Sequence, residues 1–258
     1  MPESAPRLVP LPLKDESAFR RASRQVQLYG VMGVSKLTAA KVVRGLLRRE
    51  STDDYTLWRD RLFDRQTNVR TAEPVPTSQL QTPDSARESL ADAVEYRPTS
   101  AADAAGMIDR LPIDAADYHF VDLGCGKGRV LLLAAAMPFR GVTGVEFSPE
   151  LADEARQNLR DCRLPRRAAA ADVVTGDAAT YAFPDGPLVV YLFNPFGERL
   201  LREVAANLVA SLEKDRRDCW VVYANALHAD VFAEDVRWQP ADTHDPWWAI
   251  FRWRPERD

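Results

Sequence analysis

Between His119 and Ala136 the chain reads His-Phe-Val-Asp-Leu-Gly-Cys-Gly-Lys-Gly-Arg-Val-Leu-Leu-Leu-Ala-Ala-Ala. An apolar β-type run passes through a turn with glycines at 124, 126 and 128 into a helix-forming stretch. A strand that feeds a helix through so tight a turn is the opening unit of a βαβ sheet with helices on its faces. Glycine in such a turn removes Cβ atoms where a ligand must approach the backbone and permits backbone angles closed to other residues. The helix that follows offers unpaired N–H groups to an anion.

The rest of the second half repeats the alternation. Strands are expected at His119–Leu123, Val142–Glu146, Asp172–Thr175, Leu188–Phe193 and Cys219–Tyr223. Helices are expected at Arg129–Ala136, Pro149–Arg160 and Glu198–Glu213. Val236–Pro240 and Trp247–Trp253 read as two more strands, joined by the polar turn Asp242–Pro246, so that the sheet closes on a hairpin. No internal repeat points to a solenoid.

The glycine spacing separates two kinds of ligand. A dinucleotide fingerprint is G-x-G-x-x-G, whereas here the third position of that spacing is Arg129 and the third glycine comes one residue early, at Gly128. Asp122, two residues before the first glycine, would repel a pyrophosphate and favour a cationic amino-acid moiety, such as that of S-adenosyl-L-methionine. A nucleotide-cofactor oxidoreductase is thereby disfavoured. Glu146 ends the next expected strand, where a carboxylate can accept hydrogen bonds from both hydroxyls of a ribose. Phe147 beside it is placed to line an adenine face, and Asp177, in Gly176-Asp177-Ala178, can accept from an adenine amino group. All three acids fall at carboxyl ends of expected strands, the edge at which open α/β sheets bind ligands.

In VDLGCGKG, GVEFSPE, GDAATYAF and the final hairpin, the chain resembles the class I, seven-stranded methyltransferase superfamily over about residues 95 to 258. The resemblance implies a Rossmann-like, mostly parallel sheet of strand order 3-2-1-4-5-7-6, strand 7 antiparallel, with S-adenosyl-L-methionine over its first half and the substrate over its second. It implies that Asp122, Gly124 and Gly126 sit against the methionine portion of the cofactor, with Cys125 and Gly128 of the same loop also counted as cofactor-binding. Glu146 and Phe147 would take the ribose and neighbouring adenine face, and Asp177 and Ala178 the base. Asn194, in Asn194-Pro195-Phe196-Gly197, takes the position after strand four that in many members lies beside the transferring methyl. The amino-group enzymes often read Asn/Asp-Pro-Pro-aromatic there, and the second proline is absent here. Tyr96 precedes a proline-containing loop that often folds over the cofactor in this superfamily. His228, after strand five, is the candidate general base if the acceptor needs one. FDRQ at 63–66, YRPT at 96–99 and GKGR at 126–129 also resemble a bacterial group distantly similar to the Dot1-type protein lysine methyltransferases.

The expected activity is therefore methyl transfer to an N or O acceptor, with a protein lysine or a small metabolite as candidates. The alternative is a SAM-binding, catalytically silent partner or scaffold subunit. Domain organisation is expected as 1–95, an N-terminal helical extension and linker, and 96–258, the methyltransferase domain. Glu16 to Arg49 carries apolar residues at partly helical spacing, suggesting two short helices broken near Gly30–Gly33. Its arginines and lysines read either as a solvated face on a helical cap or as a docking face for an acidic partner or lipid surface. A further short helix is expected at Tyr55–Phe63, and Thr67–Pro83 reads as loop.

Net charge of −4 over 258 residues gives no general signal for nucleic acid. No stretch reaches the roughly 18 apolar residues of a membrane span. The three cysteines, Cys125, Cys162 and Cys219, fit neither a disulfide framework nor a CxxC metal site, so no metal is expected. The first 19 residues contain four prolines and lack a signal-peptide core, and a cytoplasmic location is the expectation.

Overall fold

A computed structural model of the chain describes residues 52–76, 78, 96–244 and 247–254. The two helices expected between 16 and 49, with the basic face expected on them, lie outside the described residues, as do residue 77 and residues 79–83 of the expected loop.

Seven strands form one sheet. β1 (His119–Leu123), β2 (Gly141–Glu146), β3 (Ala171–Thr175), β4 (Leu188–Phe193), β5 (Cys219–Ala224), β6 (Trp238–His244) and β7 (Trp248–Trp253) lie in the order β3-β2-β1-β4-β5-β7-β6. The first five pair in parallel, while β7 runs antiparallel to both β5 and β6. This is the Rossmann-like arrangement expected, down to the strand order.

Side-chain alternation divides the core into two layers, because successive residues of a strand face opposite sides of the sheet. Phe120, Val189, Tyr191, Val222 and Ile250 pack on one face against α1 (Thr52–Thr67), α2 (Ala101–Ile108), α3 (Arg129–Ala135) and α4 (Pro149–Asp161). Val121, Leu123, Val190, Leu192, Val221 and Phe251 pack on the other against α5 (Glu198–Lys214) and the short α6 (Asp230–Ala233). Every residue of β5 is buried, which is why its sequence, CWVVYA, runs apolar without alternation.

The helices start where local chemistry dictates. The Ser148 hydroxyl accepts from the Leu151 N–H and Pro149 opens the first turn of α4. Ser100 caps α2 in the same way through Asp103. Sequence periodicity misses α2, AADAAGMI, because eight mostly small residues that are nearly all buried leave no polar face to set a period. It also shortens α1, whose interior is broken by charge at Arg59, Asp60, Arg61 and Asp64.

The hairpin differs from expectation. Asp242–His244, read as turn, continues β6 opposite Trp248–Ile250, with a bulge between Pro240 and Asp242. Proline can sit in this strand because β6 is the edge of the sheet, where a missing N–H costs no ladder partner, and the bulge carries the pairing on past it.

Candidate functional site

The strand order reverses direction between β1 and β4, each of which starts a run to its own side, so the crevice of the sheet opens at their carboxyl ends. The glycine loop fills the first part of it. Gly124 and Cys125 both donate N–H groups to the Val145 carbonyl, 2.9 and 3.1 Å away, which locks the loop to the end of β2. Gly126 has φ +53, and a Cβ built on it would lie 2.2 Å from the Tyr96 ring; only glycine allows that ring to cover the loop. Gly128 does different work. It stands at φ +84 before α3, where a Cβ would meet that of Ala155 at 3.1 Å, so it brings α3 against α4 and does not line the cleft.

Two carboxylates lie at the bottom. Asp122 and Glu146 are each only 3% exposed, and both line the cleft. Glu146 Oε2 accepts from the Gly126 N–H at 2.8 Å and Oε1 from the Ser148 N–H at 3.0 Å, leaving each oxygen a further lone pair. Burial pushes Glu146 up to about 7, against the pull of those N–H groups. Burial pushes Asp122 further, to about 8, and the nearby Glu146 charge adds to the rise. A buried anion without a cation is costly, and a cationic or multiply donating ligand removes that cost. This pair of acceptors thus fits a ligand with an ammonium or sulfonium group at one end and a diol at the other.

From this point the cleft extends both ways. A smaller recess continues past Phe147 to Gly176, Asp177 and Ala178, with Phe196 and Leu200 opposite. Asp177 Oδ1 accepts from the Ala179 N–H at 2.9 Å and so also holds the following turn in place. In the other direction the lining runs through Phe193, Asn194, Pro195, Tyr191, Thr99 and Asn225. Asn194 is buried at φ +41, and its Oδ1 accepts from the Tyr223 hydroxyl at 2.7 Å. Tyr96 forms a wall; its hydroxyl donates to the Thr71 carbonyl at 2.9 Å, and burial drives its pKa far up, so it stays a donor.

Of the residues marked from sequence, Tyr96, Asp122, Gly124, Cys125, Gly126, Glu146, Phe147 and Asn194 share one cleft, and Asp177 and Ala178 share the adjoining recess. Cys125 lines it while its Sγ sits beneath Gly144, 2.7 Å from where a Cβ there would stand. His228 lines neither cavity. The chain turns after β5 through Asn225, whose N–H donates to the Trp247 carbonyl at 2.7 Å, and His228 lies in the turn that leads to α6. Asn225, at φ +50, takes the place in the lining that sequence reasoning gave to His228. The signal was present: both β4 and β5 are apolar runs ended by asparagine, at 194 and 225.

Comparison with known proteins matches residues 120–215 to the methyltransferase-domain family. Trans-aconitate 2-methyltransferase of Klebsiella pneumoniae (strain 342) is 42% identical over 74 residues, which are 28% of this chain and 27% of that protein. Trans-aconitate 2-methyltransferase of Escherichia coli O157:H7 is 33% identical over 105 residues, 35% of this chain and 40% of that protein. The chain thus spans well under half the length of these curated relatives. Among solved structures, an RNA methyltransferase from Salinibacter ruber in complex with S-adenosyl-L-homocysteine shares 20% identity, with a TM-score of 0.40, over 62% of this chain and 96% of that one. At that level the fold rests on the strand order itself. Among the described residues, no helix is long and apolar enough to cross a membrane.

Proposed function

Starting from a chain whose residues 120–215 match the methyltransferase-domain family, we propose that it transfers the methyl group of S-adenosyl-L-methionine to a small acceptor that enters the cleft with a lone pair already free, a carboxylate oxygen above all. The observation that carries the cofactor is the pair of buried carboxylates, Asp122 and Glu146, facing the cleft beside the glycine loop. Asp122 would hold the cationic amino-acid end, Glu146 the ribose hydroxyls, and Phe147, Asp177 and Ala178 the base.

When bound, the cofactor supplies a methyl group on a sulfonium, already activated for displacement. The protein's own part is alignment and exclusion of water, effects that can contribute about 7–11 kcal/mol when the geometry is good. Asn194, fixed by Tyr223, would orient the acceptor, and the Tyr96 ring would shield the reacting centre.

What lines the far end supports this choice of acceptor. Asn194, Asn225, Thr99, Phe193 and Pro195 carry no group able to remove a proton at neutral pH. A hydroxyl acceptor would need such a base; a carboxylate arrives ionised. Trans-aconitate in the relatives' names accords with a carboxylate substrate. The test is transfer of labelled methyl from SAM to a panel of small di- and tricarboxylates, simple amines and lysine-containing peptides. Carboxyl ester formation is expected; transfer confined to peptide lysines would overturn the acceptor class, and no transfer to anything would favour a silent SAM-binding subunit.

A further inference from the structure

Three segments distant in sequence meet behind the glycine loop. Arg129, at the start of α3, is 2% exposed. Its Nη1 lies 2.9 Å from Asp60 Oδ1, its Nη2 3.3 Å from Asp64 Oδ1, and its Nε donates to Thr71 Oγ1 at 2.7 Å. Nη1 also donates to the Thr99 carbonyl at 3.3 Å, and the guanidinium stands 5.2 Å from the centre of the Phe63 ring. Asp64 is saturated in turn: it accepts from the Thr71 hydroxyl at 2.6 Å and from the Thr71 and Ala72 N–H groups at 2.6 and 2.7 Å. A buried guanidinium between two carboxylates, with nearly every polar atom partnered, fixes geometry more than it adds stability.

This cluster reaches the cofactor cleft by two struts. The first is Tyr96. Its hydroxyl is tied to the Thr71 carbonyl, Val75 and Tyr96 exchange backbone hydrogen bonds at 3.1 and 3.0 Å, and the ring lies on Gly126. The second is Asn158 of α4. Its Oδ1 accepts from the Arg70 N–H at 2.8 Å, while its Nδ2 donates to the Arg70 carbonyl at 3.2 Å and to the Lys127 carbonyl, inside the glycine loop, at 2.9 Å.

We propose that residues 52–76 are a working part of the cofactor site: Asp60, Asp64, Thr71 and Arg129 act as positioning residues that hold Tyr96 over Gly126, so that docking of this segment and binding of the cofactor are coupled. The inference rests on the reading that the cleft takes SAM. Coupling is reciprocal, so SAM tightens the segment to the same degree that the segment tightens SAM.

Two mild variants and one measurement on the unaltered chain test it. Tyr96→Phe keeps the ring and removes the bond to the Thr71 carbonyl, and Thr71→Val keeps the shape and removes both hydroxyl bonds of Thr71. Tyr96→Phe is expected to raise the Kd for SAM about tenfold, the effect of one such hydrogen bond, and Thr71→Val at least as much, while Thr71→Ser stays within about twofold of the parent. In the parent chain, saturating SAM is expected to slow hydrogen exchange at the Thr71 and Ala72 amides. Unchanged SAM affinity in folded Tyr96→Phe, or exchange at these amides indifferent to SAM, would overturn the coupling. Should Thr71→Val fail to fold, Tyr96→Phe and the exchange measurement decide. A parent chain that binds no SAM at all would instead overturn the proposed function.

Discussion

Replacing Asp122 by asparagine should make the unliganded protein more stable and unable to bind SAM. Asp122 ionises near 3.8 when unfolded and near 8 when folded, because burial and the Glu146 charge penalise its anion. The folded state therefore holds this proton more tightly. The stability that the protonated acid contributes is fully present below pH 3.8 and is lost as pH rises through about 8. At pH 9 the native unliganded protein carries an uncompensated buried anion at a cost on the order of a few kcal/mol. Asparagine keeps the shape and carries no charge to bury. For a chain of this size about 1 kcal/mol moves the midpoint by roughly 2–4 °C, so Asp122→Asn should melt at least about 5 °C above the parent at pH 9, with the gap closing toward pH 6. SAM at a thousand times its Kd would stabilise the parent by about 4 kcal/mol and should leave the variant unmoved. Thermal melts at pH 6 and pH 9, with and without SAM, give all four numbers. A variant that melts below the parent at pH 9, or one that SAM still stabilises, refutes the reasoning.

Other positions separate the roles assigned to the cleft. Asn194→Ala should lower kcat by about a hundredfold, the scale of lost alignment, while changing the Kd for SAM much less; equal losses in both would move Asn194 to the cofactor side. His228→Ala should leave kcat and the pH–rate profile within about twofold of the parent, since this residue lies outside the cleft lining; loss of the acid-side limb of the profile, where a base takes up its proton, would restore it as a base. Gly126→Ala should destabilise the chain by at least about 1 kcal/mol, because the backbone is left-handed there and the new methyl meets the Tyr96 ring, and chemical denaturation with no loss would contradict that contact.

Strand positions were legible because parallel, fully buried strands write themselves as apolar runs between helices of clear period. His119–Leu123 and Leu188–Phe193 have the bounds read from sequence, and the other parallel strands differ by one residue, with the hairpin the exception. Its turn was misplaced because Asp242, Thr243 and His244 look polar enough for a loop, yet an edge strand needs no apolar face on its outer side. In the site, the acids at strand ends were legible one by one, since a carboxylate at a sheet's ligand edge is chemically conspicuous. Asn225 was not, although it ends β5 as Asn194 ends β4, because a histidine three residues on drew the base assignment. Least legible was the partnership of Asp60 and Asp64 with Arg129. It joins positions more than 60 residues apart, and nothing in either local sequence distinguishes a buried ion pair from solvated charge. The division at residue 95 remains a proposal, with Leu62, Phe63 and Val69 from before it packed into the same core as α2 and α3.

The central claim is that the cleft at Asp122 and Glu146 takes an adenosyl cation and not a dinucleotide. Calorimetric titration of the chain with SAM, with S-adenosylhomocysteine and with NADH at pH 8.5 tests it most directly. The account predicts micromolar binding of the adenosyl compounds, none of NADH, and a SAM affinity that falls on the order of tenfold per unit as pH drops below 8, where Asp122 takes up its proton. Binding of NADH with no binding of SAM would contradict it.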